Sequence, residues 1–294
     1  MSNNVTPLMR NVLLFLLLSS LGCKKKKNEE PYVVETHSNH SIKFNDYFFI
    51  VDSSVICFDE IDSPVFWYER KNGNLIIGNY NNGKVWIKSG SKFIAVDQIN
   101  KSTPNFIATV HPIAVAFDEK NRMFVADNTQ RRILVYDSLY KQISSFIFSG
   151  SHMTPVSMSV SNNKIYAGAF NKPNGTLMQV YDTNGSFVRS IMTSDDSDKE
   201  HYSHTWETLN YVHSTSIDRN VFAVQTTNYF IHKFDSTTFL SKKILLKLDY
   251  FQPLTDSLRT ISKDFFDVRE KYCFPVNISA YEDLLFVQTK CPEK

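Results

Sequence analysis

The chain has 294 residues, 42 % hydrophobic and 21 % charged, with 23 Phe and 14 Tyr. That composition excludes disorder and fibrous repeats and leaves room for one large domain or two small ones. Five of the 32 basic residues, Arg10 and Lys24 to Lys27, precede Asn28 and no acidic residue does, so the remainder holds 27 basic against 30 acidic residues and stands near −3. This body carries no basic stripe, which argues against nucleic acid as a partner.

In chain order, the first element is an export signal. Arg10 precedes seven consecutive apolar residues, Val12 to Leu18, followed by Ser19-Ser20-Leu21-Gly22-Cys23. The run falls well short of the roughly 20 residues that cross a bilayer, and its basic flank and small-residue end read as a cleaved signal over residues 1–22. Cys23 directly after Gly22 resembles the lipobox of bacterial lipoproteins, although Ser20 and Leu21 invert the usual order of leucine and small residue. The resemblance implies lipidation of Cys23, a charged tether over residues 23–31, and attachment to the cell envelope on the periplasmic or surface face of the outer membrane. Of the other cysteines, Cys57 lies in an apolar run and reads as a buried thiol. Cys273 and Cys291 flank the last predicted strands, and an exported protein permits them to pair.

From Pro31 onward, short alternating or apolar runs are bounded by Asn, Asp, Gly and Ser, the pattern of an all-β chain. Four of nine glycines follow Asn, at 72–73, 82–83, 174–175 and 184–185, and are expected to form type I′ hairpin turns. The clearest unit has four strands: Pro112 to Phe117 preceded by His111, Met123 to Asp127, Arg132 to Tyr136, and Gln142 to Ile147. It recurs over Pro155 to Ile191 and more loosely from Ser216 to Asp235. An aromatic-Asp pair ends the third strand, as in Phe58-Asp59, Tyr136-Asp137, Tyr181-Asp182 and Phe234-Asp235. The intervals are 78, 45 and 53 residues, and the first holds an additional unit without the marker, from Val65 to Val96. A last partial unit runs from Val276 to Gln288, and Tyr32 to Glu35 is expected to supply a strand that closes it.

Six units of about 40 residues with four strands each are the mark of a β-propeller. The stretch from His111 to Ile147 resembles an NHL-type repeat, and the body over residues 32–294 resembles the six-bladed, TolB-like propeller lipoproteins of bacteria. The expected fold is therefore a six-bladed β-propeller of four-stranded antiparallel blades.

Chemistry is harder to place. Residues 195–207 form a polar insertion in which His201 and His204, three apart, offer a Ca²⁺ or Zn²⁺ face with Glu207 or Asp198 as a third ligand. Exposed loops ordinarily carry such residues without binding metal. Related propellers that are lactonases or amidating lyases hold a metal in the central channel, and the inner-strand candidates for that role are Glu69, His111, Asn210, His213 and Asn277. These occupy unmatched positions in their units, and no nucleophile elbow, phosphate loop or CxxC is present. The expectation is a binding module without a catalytic residue, metal or cofactor. A metal-dependent, lactonase-like hydrolase or lyase is the competing reading. The aromatic-rich segment from Leu245 to Phe274 includes an amphipathic stretch over Asp256 to Glu270. It either packs across one face or rims a site for a glycan, peptide or protein.

Overall fold

The computed structural model describes residues 33–35, 41–43, 64–69, 74–89, 92–148, 155–169, 176–193, 212–225, 230–245, 274–281 and 284–290. Strands β1 (Val33–Glu35) and β2 (Ser41–Lys43) form a pair. The first complete sheet comprises β3 (Pro64–Glu69), β4 (Leu75–Asn79), β5 (Val85–Ser89) and β6 (Lys92–Ala95), followed by a single helical turn, α1 (Val96–Ile99). The second holds β7 (Pro112–Phe117), β8 (Met123–Asp127), β9 (Arg132–Tyr136) and β10 (Gln142–Ile147). The third holds β11 (Pro155–Ser161), β12 (Lys164–Ala169), β13 (Thr176–Asp182) and β14 (Phe187–Thr193), and the fourth β15 (Val212–Ile217), β16 (Asn220–Gln225), β17 (Phe230–Asp235) and β18 (Ser241–Leu245). A last pair is β19 (Phe274–Tyr281) with β20 (Leu284–Lys290).

Every complete sheet is an antiparallel meander in chain order, as the repeat predicts. First strands adjoin in succession, β3 to β7, β7 to β11, β11 to β15 and β15 to β19, so they lie innermost and the fourth strands outermost. Among the described residues this makes four complete sheets and two strand pairs. The fourth strand of the fourth sheet, β18, carries no clear sequence mark, although a four-stranded unit calls for it. Strand β1 pairs with nearby β2 and not with the last pair, because a short hairpin closes with far less chain entropy than a contact between the chain's two ends. The Phe58-Asp59 unit, Cys57, Cys273 and Cys291 lie outside the described residues, as do residues 1–31.

Apolar side chains occupy both faces of the middle strands. All five residues of β4 and of β8 are buried. In β8 Met123 and Val125 pack with Ile76, Val85 and Ile87 of the first sheet, while Phe124 and Ala126 pack toward Met158, Val160 and Ile165 of the third. Alternate residues of a strand point to opposite faces, so one run serves two interfaces. The third sheet repeats this with Tyr166, Leu177, Met178 and Val180 against Val212, Val221 and Phe234.

The aromatic-Asp marker divides its labour between core and turn. Tyr136, Tyr181 and Phe234 are buried between sheets, whereas the carboxylates of Asp137, Asp182 and Asp235 fold the turn to the fourth strand. Asp137 accepts from the backbone N–H of Leu139 and Lys141, and Asp182 from those of Asn184 and Ser186. Asp235 accepts from the N–H of Thr238 and Thr237 and from the Thr238 hydroxyl, and these bonds hold its carboxyl below the usual range.

The expected type I′ turns at Asn-Gly are replaced by another device. In the described pairs only the glycine has positive φ, 68° at Gly83 and 98° at Gly185, because the Asn79 amide oxygen in the first and the Asp182 carboxylate in the second shape a longer turn that needs one left-handed residue. A Cβ on Gly185 would strike the Phe146 ring. The turn with two positive φ values is Asn162-Asn163, at 51° and 55°, between β11 and β12.

Near the centre the inner strands need small side chains. Ala114 and Ala116 are buried on β7, and serine hydroxyls bridge β11 to β15: Ser157 to the Val212 carbonyl, Ser159 to Ser214, and Ser216 to the Val160 carbonyl. A Cβ on Gly168 would meet the Val212 carbonyl and the Ser157 hydroxyl. Gly168→Ala should therefore wedge the third and fourth sheets apart and cost about 1–3 kcal/mol, the usual penalty of overpacking. Urea unfolding followed by circular dichroism measures it, and an unchanged midpoint would refute this account of the seam.

Candidate binding site

Alternating strand direction puts the starts of all first strands, the ends of all fourth strands and the second-to-third turns at one end of the ring. Three of the five first strands open with proline there, Pro64, Pro112 and Pro155, and β19 carries Pro275 in second place. Each pairs with the last or next-to-last residue of its second strand, and the register slips immediately afterwards. Proline has no N–H to give a ladder, so it is tolerated at the first residue of an edge strand and beside a bulge. Strand β15 opens with Val212 and keeps an unbroken register.

Opposite these positions stand buried polar residues, Asn79, Asp127 and Gln225, which sequence reading did not single out. Their signal was visible as a polar residue closing each apolar second strand. The Asn79 amide oxygen accepts from the N–H of Asn81 and Asn82. The Asp127 carboxylate accepts from the N–H of Val110, His111 and Gln130, satisfying an otherwise costly buried charge. These bonds fix the two turns and the chain entering β7.

Three side chains meet on that frame. The Tyr80 ring stacks on His111 with centroids 4.5 Å apart and planes 5° from parallel. His111 Nδ1 shares a hydrogen bond with the Thr129 hydroxyl. Below them, the Thr109 hydroxyl donates to the Gly83 carbonyl and Gly83 presses on Val110, locking the first sheet to the second. Tyr80 and Val110 remain exposed, at 45 % and 43 %. The site thus offers an aromatic face and polar edges on a rigid support. Among the described residues the Asp127 carboxylate accepts only from backbone N–H groups, so the imidazole bonded to the Thr129 hydroxyl is not oriented by that carboxylate.

The channel-metal candidates are not assembled into one group. His111 precedes β7 at the proline end, whereas Glu69 ends β3, about 16 Å further along by strand rise. The Asn277 amide oxygen accepts from the N–H of Ile278. His213 is the second residue of β15, and burial there pushes its imidazole down to about 4. Among the described residues no three His, Cys, Asp or Glu side chains gather as a metal site. His201, His204, Glu207, Asp198 and Asn210 lie outside the described residues, as does most of the segment from Leu245 to Phe274.

No known protein family matches the chain, and no curated protein matches it. Solved structures do. A catalytically inactive virginiamycin B lyase from Staphylococcus aureus with quinupristin shares 11 % identity over 77 % of this chain and 63 % of its own, with a TM-score of 0.50. A streptogramin B lyase shares 12 % over 77 % and 62 %, also at 0.50. The WD40 repeats of RRP9 share 8 % over 62 % and 51 %, at 0.44. The chain spans less than two thirds of the length of each of these structures. The fold is all-β, with propeller-like four-stranded sheets.

Burial of His213 has a pH consequence. The folded protein keeps the imidazole neutral, while the unfolded chain takes up a proton below about 6.5. Stability should therefore fall as pH drops from about 6.5 toward 4, and the fall should be shallower in His213→Asn. Urea midpoints at half-unit pH steps provide the measurement, and identical slopes for the two proteins would refute it.

Proposed function

We propose that this chain is an exported, lipid-anchored β-propeller of six blades that serves as a binding module of the bacterial cell envelope. One observation carries the binding part of the reading. From β6 to β19 the described flanks of each connection from one sheet to the next lie at the proline end, including those of residues 194–211 and 246–273, and that end bears the exposed Tyr80 and Val110. A rigid ring with its long connections gathered at one mouth is the usual platform for recognition by loops. The sixth blade is assigned to the N-terminal segment holding β1, β2 and Phe58-Asp59, with β19 and β20 as the inner half of the fifth. Ligand classes compatible with the mouth are glycan, peptide and protein.

The anchor is assigned to Cys23. One acyl chain holds a protein only marginally at a membrane, and several hold it stably. Mass spectrometry of membrane-extracted protein should find an acylated peptide beginning at Cys23, and Cys23→Ser should shift the protein to the soluble fraction. Unmodified protein that keeps residues 1–22 would refute the anchor.

Binding without metal has its own test. A metal that occupies the folded state stabilises by RT ln(1 + [L]/Kd), about 2.7 kcal/mol at a hundredfold excess over Kd. Melting temperatures should therefore be equal in chelator, Ca²⁺ and Zn²⁺. An increase of several degrees with either ion would overturn the reading in favour of a metal-dependent hydrolase or lyase.

A further inference from the structure

We propose that the coplanar Tyr80–His111 pair is the stacking platform for an uncharged sugar ring, which makes the ligand of the proline end a neutral glycan. This rests on the binding reading above and narrows it. The two rings lie 4.5 Å apart and 5° from parallel, so His111 backs one face of Tyr80 while Tyr80 remains 45 % exposed. The support is stiff: Asn79 folds the turn behind Tyr80, and Asp127 and Thr129 hold His111 from its backbone and its Nδ1. A ring held this way loses little rotamer freedom when it is covered.

Polar groups at the edges complete the site. Neither the Tyr80 hydroxyl nor His111 Nε2 has a hydrogen-bond partner among the described residues. The Gln130 amide is oriented by its donation to the Ala108 carbonyl, and its buried Oε1 lacks a partner. An aromatic face flanked by donors and acceptors suits a pyranose, whose C–H groups meet the π face while its hydroxyls point outward in the ring plane.

Charge decides against other occupants. The Asp127 carboxylate is already satisfied by three N–H groups, the Lys84 ammonium sits 5.6 Å from the Trp86 ring centroid, and Arg131 has a partner of its own. Among the described residues no Lys or Arg contacts Tyr80 or His111 to pair with a phosphate or carboxylate, and a nucleobase stacked here would lack the cationic groove that holds its backbone. An extended peptide seeks an open strand edge, whereas the first-to-third strands at this end are paired within their sheets.

The test uses the full lipidated protein in detergent and a panel of neutral hexasaccharides, built from α- or β-linked glucose, mannose and N-acetylglucosamine. Isothermal titration should detect at least one of them, with affinity reduced tenfold or more in Tyr80→Ala and retained in Tyr80→Trp, at unchanged melting temperatures. No binding across the panel, or binding indifferent to Tyr80→Ala, would overturn the glycan assignment. A random decapeptide library panned on the same samples separates the two claims. Peptides retained by wild type but lost in Tyr80→Ala, without sugar binding, overturn the glycan and leave the binding module standing. Capture of neither overturns both.

Discussion

The middle strands of this protein are apolar on both faces, and a sheet of that kind has to be covered twice. Burying a large aliphatic or aromatic side chain is worth about 1.5–3 kcal/mol, and β8 alone presents Met123 and Val125 to one neighbour and Phe124 and Ala126 to the other. The demand passes from sheet to sheet, since each covering sheet has a second face of its own. Its solution is successive sheets set around a centre with their first strands side by side. Crowding at that centre then selects alanine on β7 and serine on β11 and β15, and serine hydroxyls carry the hydrogen bonds from β11 to β15 that separate sheets cannot exchange as a ladder.

With the faces consumed by packing, the free surfaces are the two ends and the outer rim. Backbone groups released where strands stop must find partners, and the two ends meet this need differently. At the end holding the third-to-fourth turns, aspartates accept from their own turn, with the preceding aromatic anchored in the core. At the proline end the polar side chains are buried, and Asp127 reaches out of its own sheet to the chain arriving from the first. The same bonds that satisfy a buried carboxylate therefore place His111 under Tyr80. Rigidity of the stacked pair is a by-product of backbone accounting.

Much of this was legible in the residues. The aromatic-Asp ruler worked because its two halves answer to separate constraints that recur in three of the described sheets, a buried ring and a turn-forming carboxylate. The Asn-Gly reading erred because Gly185 serves a turn governed by Asp182, while Asn162-Asn163 took the two left-handed positions without any glycine. Polar ends such as Asn79 and Asp127 were in view but carried no meaning until the register set Pro64 and Pro112 opposite them.

Sequence alone determined the class of fold, the four-strand unit and its approximate period, since alternation, turn residues and repeat spacing are local properties of the chain. Tertiary structure decided which residues meet. Tyr80 and His111 are 31 positions apart and belong to different sheets, and their stacking depends on how two turns and an incoming strand converge at one end. Glu69, by contrast, sits on an inner strand like the histidine candidate His213 but at the last position of its strand, whereas His213 is at the second of its own. Strand direction separates such residues or joins them, and that direction acquires a spatial meaning only when the sheets are assembled around a common centre.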